Sequence, residues 1–385
     1  MNNTLRIFIV AGEKSGDELG GNLLKSLRLK FTSIEILGVG GPKMLKQGLI
    51  PIFEMNLISL MGIFEIATKI PKILKLLRLS EKRIKEFNPD ILLTIDSPGF
   101  NLRLQNKIKH LDILQIHYVA PSVWAWKSYR AKKIAKYLDL LFVLFPFEKE
   151  YFTKFKLHTV FIGHPLTIDE NYNLNLFNSH ESLLNKNIKK VALLPGSRKS
   201  EINKLLPVFI KSAQLLNKKH KNIKFYIVTL TEFKQYIFNA FDKADLDFYV
   251  TDKSQEKYNI YAEVDFALCA SGTVTMELAR ASTPMLVAYK LNYLTWWIVK
   301  LMAKVKTATI LNIIIGSNVI PELFQAKVTP KNIFDIVDRY LTDDKLKNYQ
   351  INYLKEAIKK MSSNNKNPHM LAVEAIDKLI NKKNN

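Results

Sequence analysis

The sequence predicts an α/β protein of two domains, each built around a parallel β-sheet. Its 385 residues are more than one ordinary core holds. Apolar, β-rich runs recur along the chain and alternate with segments of helical period, as in repeated βα units. Four of these runs end in tight polar turns, two in each half of the sequence. Ligands of such sheets bind beyond the carboxyl ends of the strands, so we expect one ligand in each domain and a cleft between the domains.

The predicted strands divide the chain into its domains. In the first half they lie near 5–11, 35–39, 91–95, 114–119, 140–144 and 160–162. In the second half they lie near 190–194, 224–228, 248–250, 266–270 and 285–288. The Asn-rich stretch 167–187 has weak periodicity and predicts a linker between a domain of residues 1–166 and a domain of residues 188–340. The helical, charged tail 341–385 could pack back on the first domain.

Several bulk features indicate a protein of the cytoplasm. The single cysteine, Cys269, lies in an apolar run, which excludes an intramolecular disulfide framework and fits a reducing compartment. No stretch reaches the roughly 18 uncharged apolar residues of a spanning helix. The apolar run 7–11 is shorter than the hydrophobic region of a secretory signal.

The net charge of +22 has several readings. It could reflect a chain rich in Lys and Asn throughout, or contact with a phosphorylated substrate, an anionic membrane or nucleic acid. We find no zinc-finger spacing, no helix-turn-helix signature and no aromatic RNA-binding motif, so we expect no nucleic-acid partner. No His, Cys and Asp cluster has metal-ligand spacing, and we expect no metal or other cofactor.

The first polar turn, 12–17, follows the strand 5–11 and precedes a helix predicted from about Glu18. Ser15 or Asp17 would make a sound N-cap for that helix, which is one interpretation of the turn. The other is a ligand contact, because the glycines allow close approach to the backbone. On that interpretation Glu13 and Asp17 meet a sugar hydroxyl.

Asp96 ends the apolar run 91–95 and precedes a proline. A carboxyl group at a strand end over an apolar wall can gain proton affinity, which suits a general base. An Asx-turn that caps the next helix is the alternative. His117, His158 and His164 compete for the base role, and His164 could equally serve as a hinge or a substrate contact.

Two turns in the second half predict a nucleotide site. The run 190–194 turns into a helix through Gly196, Ser197 and Arg198. Backbone N–H groups at such a helix start attract phosphate, and a guanidinium can hold a diphosphate with two hydrogen bonds. A second turn contains Ser271, Gly272 and Thr273. Glu277 lies one helical turn beyond Thr273, where its carboxylate can accept both ribose hydroxyls.

Two segments of the chain are amphipathic and basic. Each is either an ordinary core helix with a solvent-exposed basic face or a helix that contacts an anionic membrane and acyl chains. The first segment, 63–79, has lysines beside Ile66, Ile70, Ile73, Leu74 and Leu77. The second, 289–306, contains Trp296 and Trp297 among lysines.

These motifs together resemble lipid-A-disaccharide synthase, a bacterial glycosyltransferase family of lipopolysaccharide assembly. The likeness runs from about residue 7 to residue 325. It is carried by A-G-E-x-S-G-D (11–17), G-V-G-G-P-x-M (38–44), M-G (61–62), I-D-S-P-G-F-N (95–101), A-P-S-V-W-A-W-K (120–127), P-F-E-K (146–149), F-I-G-H (161–164), L-L-P-G-S-R (193–198) and A-S-G-T-V-T-M-E (270–277). The chain departs from the family pattern at Lys14, Leu311 and Ser317.

The resemblance implies a GT-B fold, with two Rossmann-like domains facing across a cleft. It implies transfer of a diacylated glucosamine from UDP to the 6-hydroxyl of 2,3-diacylglucosamine 1-phosphate (lipid X), at the anionic inner surface of the cytoplasmic membrane. By the same likeness Asp96 is the base, and Glu13, Ser15 and Asp17 lie on the acceptor side. We also expect His164 on the acceptor side. The residues matched to UDP binding are Gly196, Ser197, Arg198, Ser271, Gly272, Thr273 and Glu277.

Other functions remain open at this stage. The nearest enzymatic rivals are other GT-B members that use UDP-GlcNAc, either an epimerase or a cell-wall transferase. A non-enzymatic rival is a basic protein that binds membranes or nucleic acid without binding UDP. The sequence also leaves open a homodimer.

Overall fold

The computed structural model describes residues 4–59, 66–126, 129–168, 188–291, 307–364 and 366–384. The chain forms two compact units. Unit 1 combines Met1–Pro165 with Met361–Asn385, and unit 2 is Leu166–Lys360. The predicted linker 167–187 lies outside the described residues beyond Ile168.

Unit 1 is a parallel sheet with helices on both faces. Its strands are β1 (Leu5–Ala11), β2 (Ile34–Val39), β3 (Ile50–Pro51), β4 (Ile91–Ile95), β5 (Leu114–Tyr118), β6 (Leu140–Val143) and β7 (Thr159–Phe161). Its helices are α1 (Lys14–Lys30), α2 (Pro42–Leu45), α3 (Asn56–Ser59), α4 (Ile66–Phe87), α5 (Pro98–Ile108), α6 (Val123–Trp126), α7 (Tyr129–Ile134), α8 (Lys149–Thr153) and, from the end of the chain, α16 (Pro368–Asn384). The strand order is β3-β2-β1-β4-β5-β6-β7.

Unit 2 repeats the plan. Its strands are β8 (Lys189–Leu194), β9 (Ile223–Val228), β10 (Phe248–Thr251), β11 (Phe266–Ala270), β12 (Met285–Tyr289) and β13 (Glu322–Phe324). Its helices are α9 (Lys199–Lys219), α10 (Thr231–Asp242), α11 (Ser254–Glu263), α12 (Thr273–Arg280), α13 (Ile310–Ile315), α14 (Pro330–Thr342) and α15 (Asp344–Met361). The strand order is β10-β9-β8-β11-β12-β13, and the strand pairs are parallel.

The cores explain why the strand runs are apolar on both faces. In β1, Ile7 and Ile9 pack with α1, whereas Phe8 and Val10 pack with α4 and α5 on the opposite face. A sheet covered on both sides selects continuous apolar runs instead of alternating ones. Every strand that the sequence predicts is present, and the structure adds the short edge strands β3 and β13.

The charged tail divides between the two units. Helix α15 packs on unit 2, where the Tyr353 hydroxyl donates to the carbonyl oxygen of Ser317 at 2.7 Å. Helix α16 packs on unit 1, where Ala372, Val373 and Ile376 join the core beside α1. Ion pairs of Lys30 with Asp377 and of Lys383 with Asp112 also tie α16 to unit 1.

No helix in the described ranges combines the length and the apolar character that crossing a bilayer requires.

Candidate active site

The sheet of unit 1 has its topological switch point between β1 and β4. The chain proceeds from β1 to β2 on one side and from β4 to β5 on the other, so the turns after β1 and β4 leave side by side. Such a point is where open α/β sheets bind ligands. The two turns are in contact, because a Cβ on Gly12 would overlap the hydroxyl group of Ser97. Both first-half motifs therefore lie at the expected edge.

The turn after β1 differs from its prediction. Helix α1 begins at Lys14 with Glu13 as the N-cap, four residues earlier than expected, and Ser15 lies exposed in its first turn. Asp17 is buried within α1 and accepts the backbone N–H groups of Gly41, Lys43 and Met44. Its carboxylate thus caps α2, and the expected contact between Asp17 and a sugar hydroxyl is wrong.

Asp96 is fixed through its backbone from two directions. Its N–H donates to the carbonyl oxygen of Tyr118 in β5 at 2.9 Å. The buried Asn101 amide of α5 donates to the carbonyl oxygens of Asp96 and Ile95, at 2.8 and 3.0 Å. Asp96 and Ser97 both have the left-handed conformation, with φ of 46° and 43°. That conformation is costly for residues other than glycine, and such strain is typical of functional turns.

The electrostatics of Asp96 suit proton transfer. Burial raises the pKa of its carboxyl group, and the nearby negative charge of Glu13 raises it further. Both causes disfavour the carboxylate, so it holds a proton more strongly than an exposed aspartate does. Glu13 is exposed at the same edge.

The three histidines that compete with Asp96 have different environments. His117 lies fully buried in β5, with Nδ1 2.6 Å from the Thr94 hydroxyl, and burial lowers its pKa to about 3. His158 precedes β7 and is therefore at the opposite, amino end of the strands. His164 follows β7 at the same edge as Asp96, stacks on Phe145, and has its pKa lowered by burial to about 4. His164 is the histidine whose location fits an acceptor contact.

Unit 2 has its switch point between β8 and β11, and a cavity of about 320 Å³ opens there. Its wall is formed by the turns that follow β8, β9, β10 and β11. Ligand sites of small molecules commonly have volumes of this order. Among the residues predicted to bind UDP, those that line the cavity are Gly196, Ser197, Ser271, Gly272, Thr273 and Glu277.

The turn after β8 combines a glycine in the left-handed region with the start of a long helix. Gly196 has φ of 114°, which favours glycine, and Arg198 is the N-cap of the long helix α9. Glu201 of α9 accepts from the Ser197 N–H at 3.3 Å and from Arg198 Nη1 at 3.2 Å. The Arg198 side chain is 77% exposed and lies outside the cavity wall, but its partner Glu201 lines the cavity.

Glu277 has a partner that the sequence analysis missed. Its Oε1 lies 2.9 Å from Nζ of Lys257, and both side chains line the cavity. Lys257 and Ser254 lie on α11, and Asp252 and Lys253 from the preceding turn also line the wall. The polar turn after β10 indicates in the sequence that this part of the chain can border a site, but nothing local indicates that Lys257 pairs with Glu277.

The residues predicted to contact a membrane or acyl chains differ in their burial. Ile73 and Leu77 are buried in the core of unit 1, so their expected membrane contact is wrong. Ile70 and Leu74 are exposed on the outer face of α4, at 44% and 47%. Ile66 begins α4, and the surroundings of its side chain lie outside the described part of the structure. Trp296 and Trp297 lie outside the described residues altogether.

Of the departures from the family pattern, Lys14 begins α1, and Leu311 and Ser317 lie in or beside α13. Leu311 is buried, and its neighbour Asn312 exchanges hydrogen bonds with the backbone of Ile320. Ser317 is exposed. Within the described ranges, no group of three His, Cys, Asp or Glu side chains is arranged to hold a metal ion.

Solved structures share this architecture over the whole chain. The glycosyltransferase of kitacinnamycin superposes with a TM-score of 0.65 at 14% identity, covering 98% of this chain and 100% of the other. The UDP-GlcNAc 2-epimerase from Neisseria meningitidis, bound to UDP-GlcNAc, has a TM-score of 0.59 at 12% identity, with 98% and 100% coverage. Identities this low concern the fold alone. The two parallel-sheet units make the chain a protein of the GT-B class.

Sequence comparison specifies the family. A family model described as lipid-A-disaccharide synthetase matches residues 7–376. The lipid-A-disaccharide synthase of Psychromonas ingrahamii is 37% identical, over 89% of this chain and 91% of the relative. That of Rickettsia felis is 36% identical over 96% and 95%, and that of Hydrogenovibrio crunogenus is 33% identical over 98% and 100%. The chain belongs to the lipid-A-disaccharide synthase family, and it is a UDP-sugar glycosyltransferase that forms the lipid A disaccharide.

Proposed function

We propose that the chain transfers 2,3-diacylglucosamine from its UDP derivative to the 6-hydroxyl of 2,3-diacylglucosamine 1-phosphate, with inversion at the anomeric carbon. The products are the β-1,6-linked disaccharide 1-phosphate and UDP. The main support for this proposal is that candidate site residues lie at the topological switch point of each unit's sheet. The family motifs that accompany UDP border one cavity in unit 2, and a carboxyl group with raised pKa lies at the corresponding edge of unit 1.

In the proposed step, Asp96 takes the proton of the acceptor hydroxyl as the hydroxyl oxygen attacks the anomeric carbon. The bond from that carbon to the β-phosphate oxygen breaks, and UDP leaves with the bonding electrons. A positioned base contributes roughly 10²–10⁴-fold to the rate of such a step. One displacement with one base inverts the configuration, so an α-linked donor gives a β-linked product. Glu13, Ser15 and His164 are proposed to contact the acceptor.

Unit 2 is proposed to hold the leaving group. The N–H groups at the start of α9 and the Arg198 guanidinium offset the negative charge that develops on the β-phosphate. Arg198 must exchange its partner Glu201 for the diphosphate, and its high exposure leaves it free to turn. Ser271, Gly272 and Thr273 border the same cavity, and Glu277 is proposed to accept the ribose hydroxyls.

We also propose that the chain works at the inner face of the cytoplasmic membrane as a peripheral protein. The outer face of α4 presents Ile70, Leu74 and Leu79 together with Lys72, Lys75 and Arg78. Apolar and basic groups together suit an interface rich in anionic lipid. Each such cation contributes about 1 kcal/mol near that surface.

Mass spectrometry of the products tests the reaction. The chain is incubated with UDP-2,3-diacylglucosamine and 2,3-diacylglucosamine 1-phosphate, and with UDP-GlcNAc in parallel. We expect a tetraacyl disaccharide 1-phosphate in the first reaction and no change in the second. Epimerised or transferred UDP-GlcNAc with no disaccharide would support one of the rival GT-B activities and refute the proposal.

Titration calorimetry tests the nucleotide site. Arg198→Ala should weaken UDP binding by about 10-fold, the size of one lost charge-assisted hydrogen bond. Lys199→Ala, which removes the next cation along the chain, is the matched control and should have a smaller effect. Equal effects of the two substitutions would contradict a specific role for Arg198.

A further inference from the structure

Lys257 and Glu277 form an ion pair inside the cavity of unit 2. The distance from Nζ to Oε1 is 2.9 Å, and the two side chains are 21% and 17% exposed. The ammonium group of Lys257 also lies 4.5 Å from the ring centre of Tyr258. The pair joins α11 to α12, the helices that follow β10 and β11. It is therefore a contact between two neighbouring walls of the site.

Lys257 keeps its positive charge in the folded protein. Burial lowers the pKa of Lys257, but the attraction of Glu277, the hydrogen bond to it and the contacts with Tyr258 together outweigh burial, so the pKa is raised overall. A protonated lysine is a donor without acceptor capacity, and an ionised glutamate is an acceptor without donor capacity. The contact is thus a charge-assisted hydrogen bond of the stronger kind.

The ion pair with Lys257 uses one of the two carboxylate oxygens of Glu277, Oε1. Within the described part of the chain, Oε2 of Glu277 has no hydrogen-bond partner. Fixing Oε1 restricts rotation of the carboxylate and so determines the direction in which Oε2 points. A ribose offers two adjacent hydroxyl donors, which an oriented carboxylate can accept. A carboxylate that rotates freely would lose entropy on binding and discriminate less well.

We propose that Lys257 is a positioning residue that orients Glu277 to recognise the ribose diol, and that it thereby determines the preference for ribonucleotides over 2′-deoxyribonucleotides. The inference rests on the proposed binding of UDP in this cavity. Lys257 acts through Glu277 and makes no contact with the reacting atoms.

The test compares the affinities for UDP and 2′-deoxy-UDP by titration calorimetry. We expect the unaltered chain to prefer UDP by about 10-fold, the size of a hydrogen bond to a charged group. Lys257→Met should reduce this preference to near unity. Lys257→Arg, which keeps the charge and a donor, should restore much of it. The thermal melting curve of each variant establishes that it is folded.

Lys253→Met is the matched control. Lys253 lines the same cavity but pairs with Glu256 at 2.9 Å instead of with Glu277. Its loss removes an equal charge from the site, so both affinities should change by the same factor and the preference should stay. If Lys253→Met abolished the preference as Lys257→Met does, the effect would be one of overall charge and the inference would be wrong.

The outcomes separate the inference from the proposed function. If the unaltered chain bound no UDP, the proposed nucleotide site would itself be refuted. If it bound UDP and Lys257→Met weakened both nucleotides equally, or changed neither, the positioning role alone would be refuted. The double variant with Glu277→Gln should lose no more preference than either single variant, because the two side chains act as one unit.

Discussion

At the scale of residues, two aspartates at the edge of the unit 1 sheet have different roles because their partners differ. Asp17 accepts three backbone N–H groups and caps α2, so its side chain is occupied by the fold. Asp96 is instead held by its backbone, through Tyr118 and the Asn101 amide, and its carboxyl group keeps a raised pKa. A fixed position and a raised proton affinity are the two properties that a general base needs.

Asp96→Asn tests the base directly. The amide keeps the size of the side chain but cannot accept the proton, so turnover should fall by roughly 10²–10⁴-fold. UDP affinity should be unchanged, since the cavity proposed to bind UDP is lined by residues of unit 2. Turnover is measured by UDP release and affinity by calorimetry. Near-normal turnover would exclude Asp96 as the base.

Glu13→Gln tests whether the negative charge of Glu13 contributes to the raised pKa of Asp96. The substitution removes a negative charge near Asp96, which lowers the Asp96 pKa because the carboxylate is then less disfavoured. The acidic limb of the profile of kcat/KM against pH should therefore move to lower pH. Glu18→Gln is the control, because Glu18 lies on the same helix and pairs with Lys43. A shift to higher pH, or an equal shift in the control, would contradict the electrostatic coupling.

At the scale of elements, the sequence predicted strands better than helix starts. Short continuous apolar runs that end in turn residues indicate strands covered on both faces, and the bounds of β1, β4 and β11 agree with the prediction. The start of α1 was misplaced because Asp17 looks like a local cap, whereas its partners lie far along the chain in α2. Lys257 was missed for a related reason, since its ion pair with Glu277 joins two helices. Contacts of this kind depend on tertiary structure and have no local signature.

Helix α4 carries the prediction of membrane binding. Replacing Ile70 and Leu74 together with Ser should reduce binding to vesicles that contain phosphatidylglycerol, because each loses apolar area that an interface would bury. Leu29→Ser is the matched control, since Leu29 is also an exposed leucine on a helix of unit 1. Binding is measured by vesicle sedimentation. An equal loss in the control, or no loss in the double variant, would refute a role for this face.

At the scale of the whole molecule, unit 1 is built from two separate segments of the chain. Helix α16 completes its core with Ala372, Val373 and Ile376. The sequence allowed the tail 341–385 to pack back on the first domain. It could not determine where the tail packs, because an amphipathic helix can pack on any apolar surface of suitable width. Only the contacts with α1 and with Asp112 distinguish the actual partner.

Ile376→Ala should therefore destabilise unit 1 and spare unit 2. Truncating a buried isoleucine costs about 2–5 kcal/mol. Met370→Ala on the exposed side of α16 should have little effect. Calorimetric melting should show an earlier transition for Ile376→Ala, while UDP affinity below that transition remains that of the unaltered chain. Loss of UDP affinity in the folded variant would contradict the independence of the nucleotide site.

The return of α16 also has a consequence for synthesis on the ribosome. Translation proceeds from the amino terminus, and domains generally fold as units once their residues have emerged. Unit 2, for which we propose nucleotide binding, ends at Lys360, so all its residues emerge while unit 1 still lacks the residues from Met361 onward. Unit 1 is thus begun first and finished last, and a chain that ended near residue 360 would contain all of unit 2 but would lack the helix α16 that completes the core of unit 1.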